Sequence, residues 1–291
     1  MDQQTPIRID SGALSATVSP LGAELQTLRT ADGAELLWHG DPAFWSGRAP
    51  ILFPIVGRAP GNRIAVGAHE AEMAQHGFAR RARFTLDTHA PDTCRHILRD
   101  TAETRALYPF AFRLAVTHRL HGATLEVAVE IANCDDRAMP FGFGFHPAFA
   151  WPLPGAEGQP HEIRLDNGAE PAMARLHDGL LPTDRLPSPF RAGKLTLMPE
   201  QFEEDAMIFP AGAGAGLRYG VPGGPELAFA FENLPNLALW TKPGAPFLCV
   251  EPWHGMAAQS GASPQISERP YSQSLAPGAE ARFAYRVTAD L

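Results

Sequence analysis

A glutamate at the end of an apolar segment is the first candidate for chemistry in this sequence. Glu251 follows the apolar run 247–250 in "APFLCVEPWHG" and directly precedes Pro252. An ionised carboxylate is costly in apolar surroundings unless it is paired, and burial raises its pKa towards neutrality. Such a group suits a general base that works near neutral pH. The alternative is a glutamate that points into solvent at the strand end.

Two histidines lie beside glycine, where a ligand can approach the backbone closely. His146 lies in "FGFGFHPAF" (141–149), and His76 precedes Gly77 in "AQHGFARRARF". Because histidine gains and loses a proton near neutral pH, either residue could act as an acid or a base. The local residues also fit structural roles, a hydrogen-bonded core side chain for His146 and a turn residue for His76.

Four further side chains are suited to binding a ligand rich in hydroxyl groups. Arg58 in "ILFPIVGRAPGNRI" and Arg80 in "QHGFAR" carry guanidinium groups, which donate hydrogen bonds to hydroxyls or phosphate. Asp205 in "FEEDAMIF" could hold a pair of hydroxyls, and the indole of Trp240 suits the C–H face of a sugar. A solvated arginine and a core tryptophan are the structural alternatives.

Alternating apolar and polar residues predict that β-strands position these side chains. The alternation runs through 112–120 and resumes through 125–131 after His121 and Gly122, which predicts an antiparallel hairpin with one buried face. The C-terminal "ARFAYRV" alternates in the same way. Further strand candidates are "GALSATVS", "AELQTLRT", "GKLTLMP", "ELAFAFEN", "LALWTK" and "FLCVEP".

The frequency of turn residues indicates the fold class. The chain contains 27 glycines and 28 prolines, spaced too closely for long helices. Only "DPAFW" and "PEQFEEDA" are predicted as short helical turns, and the glycine-rich segment 211–220 is predicted as a mobile surface loop. Neither a repeat nor a linker divides the 291 residues. We therefore expect an all-β protein, one large antiparallel β-sandwich domain over residues 1–291.

The composition indicates which kinds of binding partner and which cellular compartment to expect. The net charge of −8 argues against nucleic acid or an anionic membrane as the main partner, because both favour a basic surface. The N-terminus "MDQQTPIRID" lacks the pattern of a secretory signal, and no apolar run is long enough to span a bilayer. The three cysteines contain no CxxC pair, which favours a reduced, cytoplasmic protein.

Six segments, taken together and in order, resemble the aldose 1-epimerase (galactose mutarotase-like) family, and within it the bacterial LacX-type branch. They are "ILFPIVGR", "QHGFAR", "FGFHPAF", "DAMIF", "WTKPGAPFLCVEPWHG" and "LAPGAEARFAYRV". The segments extend from about residue 50 to the C-terminus. Their order and spacing, more than any single segment, make the resemblance specific.

The resemblance implies a large antiparallel β-supersandwich with a sugar cleft on one concave face. It also implies that Glu251 is the general base that takes the proton from the anomeric O1 hydroxyl, and that His146 is the general acid that protonates the ring oxygen. His76 would stabilise charge on the sugar as the ring opens. Arg58 and Asp205 would bind other hydroxyls. The partner would be a small-molecule sugar, and proton transfer of this kind needs neither metal nor cofactor.

The sequence leaves three alternatives open. The substrate could be a hexose 6-phosphate instead of a free hexose, with Arg58, Arg80 and Arg81 as a phosphate site. A glycoside hydrolase could use Asp205 and Glu251 as its carboxylate pair. A non-catalytic sugar sensor would bind a sugar without turnover. The sequence makes no prediction of the oligomeric state.

Overall fold

Strands dominate the computed structural model, which describes residues 5–291. The first eleven strands are β1 Ile7–Asp10, β2 Leu14–Val18, β3 Leu25–Thr30, β4 Ile51–Leu52, β5 Arg63–Val66, β6 His69–Glu72, β7 Thr85–Ala90, β8 Thr93–Arg99, β9 Phe112–His121, β10 Thr124–Asn133 and β11 Met139–Phe141. The others are β12 Phe143–Phe145, β13 Ala148–Ala150, β14 Glu162–Leu165, β15 Lys194–Thr196, β16 Met207–Phe209, β17 Gly216–Gly220, β18 Glu226–Glu232, β19 Asn236–Trp240, β20 Phe247–His254, β21 Gln273–Leu275 and β22 Glu280–Asp290.

Helical structure in residues 5–291 is confined to short segments. One α-helix, α1, spans Ala102–Leu107. Thr101 caps it, and its side chain accepts a hydrogen bond from the backbone N–H of Thr104. The 3-10 segments are Pro60–Asn62, Ala79–Arg81, Pro199–Phe202 and Ile266–Glu268.

Two antiparallel sheets form the framework. The larger has nine strands in the order β15-β14-β17-β18-β22-β10-β9-β8-β7. The other has the order β16-β19-β20-β12-β4, and β13 also pairs with β20. A three-stranded sheet, β1-β2-β3, and two strand pairs, β11-β21 and β5-β6, complete the structure.

Aromatic side chains pack the two large sheets together. The ring of Phe143 in β12 lies 4.9 Å from that of Phe283 in β22, centroid to centroid. The rings of Phe145 and Tyr285 are also 4.9 Å apart. These contacts confirm the predicted antiparallel β-sandwich. Because the main hydrophobic cluster includes residues from both β1 and β22, we propose that the chain forms a single domain.

The predicted hairpin 112–131 is confirmed, and one local prediction needs correction. "DPAFW" forms a single helical turn, as predicted, because Phe44 N–H and Trp45 N–H both donate to the Asp41 carbonyl. The prediction of a surface loop over 211–220 is wrong for its second half, which is strand β17. Leu217 and Tyr219 alternate there as buried residues, a pattern that the surrounding glycines conceal. "PEQFEEDA" contains the 3-10 segment Pro199–Phe202, as predicted.

The helices and the cysteines are relevant to the cellular location of the protein. Within residues 5–291, the structure contains no helix with the length and apolar character needed to cross a membrane. Cys94, Cys134 and Cys249 are unpaired, and Cys134 is exposed.

Candidate active site

Strand alternation explains how a histidine lies within a phenylalanine-rich segment. Phe143 and Phe145 point into the sandwich core, so Gly144 and the next alternate residue, His146, project from the opposite face. A Cβ atom on Gly144 would lie 2.4 Å from Cδ1 of Trp253. The glycine is therefore needed so that the indole can lie across the strand, on the same face as His146.

The register of the smaller sheet brings His146 to Glu251. β12 pairs with β20 through Gly144 and Trp253, and β13 pairs with β20 from Ala148 onwards. Between these two pairings, the same register places His146 opposite Glu251. The Nε2 atom of His146 lies 3.3 Å from Oε2 of Glu251. The structure thus joins two residues that are 105 positions apart in the sequence.

Burial favours the uncharged forms of both partners. Glu251 is 2% exposed and His146 is 8% exposed. Burial, reinforced by the charge of Asp205, raises the pKa of the Glu251 carboxyl well above its usual value. Burial, reinforced by Arg80, lowers the pKa of His146 to about 3. The favoured state is therefore a carboxylic acid beside a neutral imidazole, with one proton for the two groups.

His76 is held as a neutral imidazole with a defined tautomer. The backbone N–H of Gly57 donates to its Nδ1 over 3.0 Å, so the ring proton resides on Nε2. Burial is the main reason why the pKa of His76 lies well below its usual value. Its ring lies edge-on to that of His146, with centroids 5.7 Å apart. His76 is thus a hydrogen-bond donor beside His146.

Backbone conformation places His76 and Asp205 in sparsely populated regions. Both have a φ angle of 68°, which costs a non-glycine residue about 1–2 kcal/mol. After His76, a Cβ atom on Gly77 would lie 2.1 Å from the Phe53 carbonyl oxygen, so only glycine fits. Arg175 donates to the Asp205 carbonyl and holds that turn. Strain of this kind is concentrated at functional sites.

One cleft of about 290 Å³ collects most of the predicted site residues. Asp205 lies exposed at its rim, whereas the two histidines and Glu251 are buried in it. The guanidinium of Arg80 donates to the Gln75 carbonyl over 3.0 Å. The predicted residues that line this cleft are Glu251, His146, His76, Asp205, Arg80 and Trp240.

Arg58 is the predicted site residue that lies apart from the other six. The preceding residue, Gly57, lines the cleft, but its φ of 70° turns the chain. The exposed Arg58 side chain runs beside Gly179 and lines a neighbouring pocket. That pocket shares Gln75 with the cleft and also contains Arg81. Contact between Arg58 and a sugar in the cleft stays a prediction.

Three cleft residues with polar or aromatic side chains were not predicted from the sequence. Trp45 comes from the turn 41–45, and Gln75 precedes the predicted His76. Trp253 lies two residues after Glu251 on the same face of β20, so strand alternation contains a signal that could have identified it. For Trp45 the sequence contains no comparable signal, because the turn meets the cleft only through tertiary contacts.

Three buried side chains of the site carry atoms that can bind a metal ion. Ligand atoms of His146, Cys249 and Glu251 lie within 4.8 Å of one another. Burial raises the pKa of the Cys249 thiol well above its usual value, and a protonated thiol is a poor metal ligand.

Several buried polar atoms of the cleft have no hydrogen-bond partner within the described chain. They are Arg80 Nε, His146 Nδ1, Glu251 Oε2 and Trp253 Nε1. Buried polar groups are almost always paired in folded proteins. Together with the indole of Trp240, these groups suit a ligand that combines hydroxyl groups with an apolar face. A sugar has this combination.

Comparison with known proteins gives the family. Residues 6–206 match the aldose 1-epimerase family. The chain belongs to this family. It is also similar to two forms of the protein LacX from Lactococcus lactis subsp. lactis, one plasmid-encoded and one chromosomal. Each is 28% identical over 297 residues, which cover 97% of this chain and 98% of LacX.

Solved structures confirm the fold of this family member. A galactose mutarotase-like protein from Lactobacillus casei superimposes with a TM-score of 0.91 at 28% identity, covering 98% of this chain and 100% of that one. A galactose mutarotase related enzyme from Lactobacillus acidophilus gives a TM-score of 0.91 at 26% identity, covering 99% and 98%. The predicted galactose mutarotase-like β-supersandwich and the LacX-type resemblance are therefore confirmed.

Proposed function

We propose that this member of the aldose 1-epimerase family interconverts the α and β anomers of a hexose by acid–base ring opening. The observation that carries the proposal is the buried contact of 3.3 Å between His146 Nε2 and Glu251 Oε2 in the cleft. Anomer exchange requires O1 to lose a proton and the ring oxygen to gain one. A carboxylate and an imidazolium supply these two functions. Membership of the family supports an isomerase that acts on sugars.

One proton shared by Glu251 and His146 is sufficient for the cycle. Ring opening uses the less populated carboxylate–imidazolium tautomer of the pair: Glu251 takes the O1 proton, and His146 gives its proton to O5 as the C1–O5 bond breaks. The pair becomes a carboxylic acid and a neutral imidazole, and the sugar becomes the free aldehyde. After rotation about C1–C2, closure on the other face reverses both transfers and restores the starting pair. The total charge of the pair never changes.

The other residues bind the sugar around this pair. His76 donates from Nε2 and stabilises negative charge that develops on the sugar oxygen as the ring opens. Arg80 and Asp205 bind further hydroxyls, and the indole of Trp240 contacts the C–H face. This arrangement supplies each proton within hydrogen-bond reach, which is typically worth ~10²- to 10⁴-fold in rate for each transfer.

A hexose 6-phosphate is the second candidate substrate. The pocket beside the cleft, about 550 Å³ in volume, has two arginines in its lining, Arg58 and Arg81. Gln75 lines both this pocket and the cleft, so the two cavities are adjacent and the phosphate of a bound hexose 6-phosphate would lie on the side of the arginines. Guanidinium groups bind phosphate bidentately. In this case Arg58 keeps its predicted role in substrate binding, as a phosphate ligand.

NMR saturation transfer between α and β signals tests the proposal directly. Glucose, galactose and glucose 6-phosphate are compared with the native protein and with an Arg58→Ser/Arg81→Ser double variant. Exchange above the spontaneous rate for any of them supports an epimerase. A rate with glucose 6-phosphate that falls in the double variant, while glucose exchange is unchanged, identifies the phosphate sugar.

A methyl glycoside, added to the same NMR experiment, separates the competing functions. A methyl glycoside cannot open its ring, so an epimerase leaves it unchanged. Release of reducing sugar from that glycoside would identify a glycoside hydrolase. Sugar binding without faster exchange of any of the three sugars would identify a sensor. Either result contradicts an epimerase function for this protein.

We also propose a cytoplasmic location. Cys134 is both exposed and unpaired, a state that persists in reducing compartments. The net charge of −8 favours a small-molecule partner over nucleic acid or an anionic membrane. Cell fractionation with an antibody against the native protein tests the location.

A further inference from the structure

The indole of Trp45 stacks on the ring of His146. The two ring centroids are 4.9 Å apart, and the ring planes differ by 28°. Trp240 and His76 approach the same imidazole edge-on, each with its centroid 5.7 Å away and with interplanar angles of 85° and 84°. The imidazole is therefore surrounded by aromatic groups, and Trp45 is the one that lies against its face.

Hydrogen bonds fasten Trp45 to the rest of the site. Its carbonyl accepts from the indole N–H of Trp38 over 2.8 Å. Its backbone N–H donates to the Asp41 carbonyl over 2.9 Å. The ammonium of Lys242 donates to the neighbouring Phe44 carbonyl over 3.0 Å, which ties the turn to the end of β19.

Gly47 allows the indole to take this position. A Cβ atom on Gly47 would lie 2.5 Å from Cζ2 and 2.8 Å from Cε2 of Trp45. Contacts as short as these do not occur between unbonded carbon atoms, so the indole occupies the space that a side chain at residue 47 would need. The orientation that stacks on His146 thus depends on glycine at this position.

We propose that Trp45 is a positioning residue, which directs His146 Nε2 towards Glu251 and favours the protonated imidazole. The face of an indole attracts a cation within about 6 Å of its centroid, and it attracts a neutral ring less strongly. The stack therefore opposes burial and raises the population of the carboxylate–imidazolium tautomer that opens the sugar ring. This inference rests on the proposed function.

Trp45 differs from the other groups that act on the charge of His146. Glu251 favours the imidazolium, whereas the nearby positive charge of Arg80 disfavours it. Other titratable groups near the ring or across the cleft are His76, Cys249 and Asp205. Because Trp45 carries no charge, replacing it changes neither the net charge nor the number of protons in the cleft.

Variants of Trp45 test the role through kinetics. In Trp45→Leu we expect kcat to fall about tenfold and KM to change less than about twofold, whereas Trp45→Phe retains most of kcat because it keeps an aromatic face. The acid limb of the pH profile moves to lower pH in Trp45→Leu, since a second proton enters the pair less readily. Trp151→Leu, a tryptophan replacement outside the cleft, is the matched control and leaves the acid limb in place.

An NMR titration of the His146 imidazole tests the same role without any need for activity. In Trp45→Leu the ring-proton signals lose the shift caused by the stacked indole, and the pKa of His146 falls further. Gly47→Ala displaces the indole and gives the same changes without removing the tryptophan. Unchanged His146 signals and an unchanged pKa in Trp45→Leu would overturn the inference. If these changes occur while the native protein exchanges no anomers, the positioning role stands and the proposed function fails.

Discussion

At the scale of single residues, the central feature is a carboxyl and an imidazole that share one proton. Burial raises the pKa of Glu251 and lowers the pKa of His146 to about 3. Burial thus disfavours the charged form of each group. Their contact makes the protonation of one dependent on the other, so the pKa values from a titration would belong to the pair. His76 is separate from this exchange, because the Gly57 N–H fixes it as a neutral donor.

The pair predicts a bell-shaped dependence of kcat on pH. At low pH a second proton reaches the pair and Glu251 can no longer act as a base. At high pH the single proton is lost and His146 can no longer act as an acid. Saturation-transfer rates measured from about pH 2.5 to 10, within the range in which the protein stays folded, should rise and then fall. A rate that follows only the spontaneous exchange profile over this range would contradict a proton-transfer pair.

At the scale of elements, the site depends on the alternation of β12 and on its pairing with β20. Phe143 and Phe145 occupy the core, which leaves Gly144 and His146 on the cleft face. The neighbouring strand presents Glu251 and Trp253 on that same face. A change in the small residues of β12 therefore alters the cleft, although it removes no reactive group.

Two glycines of this segment give a matched pair of predictions. In Gly144→Ala the new Cβ lies 2.4 Å from Trp253 Cδ1, and we expect a loss of about 1–3 kcal/mol in the free energy of unfolding. The displaced indole should also lower the exchange rate. In Gly142→Ala the closest atoms are 3.5 Å away, so stability should change by less than about 1 kcal/mol. Denaturant unfolding of both variants measures the difference, and equal losses would contradict the packing described for Trp253.

Some residues of the site could be predicted from single segments of the sequence, and others could not. Glu251, His146, His76, Arg80, Asp205 and Trp240 could be found because short segments of the sequence mark them. Trp45 could not, because its turn reaches His146 only through tertiary contacts with Trp38 and Lys242. Arg58 was also predicted from its motif, which is adjacent to the cleft, but the turn at Gly57 directs its side chain into the next pocket. The alternation of apolar and polar residues predicted strands, but it did not predict the order in which the nine strands of the larger sheet pair.

At the scale of the whole molecule, two buried histidines in the larger sheet link stability to pH. His96 in β8 and His118 in β9 are 1% and 2% exposed. Burial lowers their pKa values to about 4 and about 3. Both are therefore neutral in the folded protein over a pH range in which the unfolded chain binds a proton at each of them.

The protein should lose stability as the pH falls from neutrality. A histidine whose pKa is depressed on folding contributes its full stability above the unfolded value of 6.5, and this contribution is lost as the pH falls towards the folded value. At pH 5 the loss is about 2 kcal/mol for each of the two residues. In His118→Leu the difference in the free energy of unfolding between pH 7 and pH 5 should shrink by about 2 kcal/mol. The exposed His121→Gln serves as the control, and an equal pH dependence in His118→Leu and the native protein would contradict the assignment.

Anomer exchange by the native protein and by Glu251→Gln tests the central claim most directly. Glutamine keeps the size of the side chain and removes the base. Saturation transfer between the α and β signals of the preferred sugar should be faster than the spontaneous rate with the native protein. We expect a fall of ~10²-fold or more in Glu251→Gln, with sugar binding retained and with full activity in the exposed control Glu103→Gln. Undiminished exchange in Glu251→Gln would contradict the account.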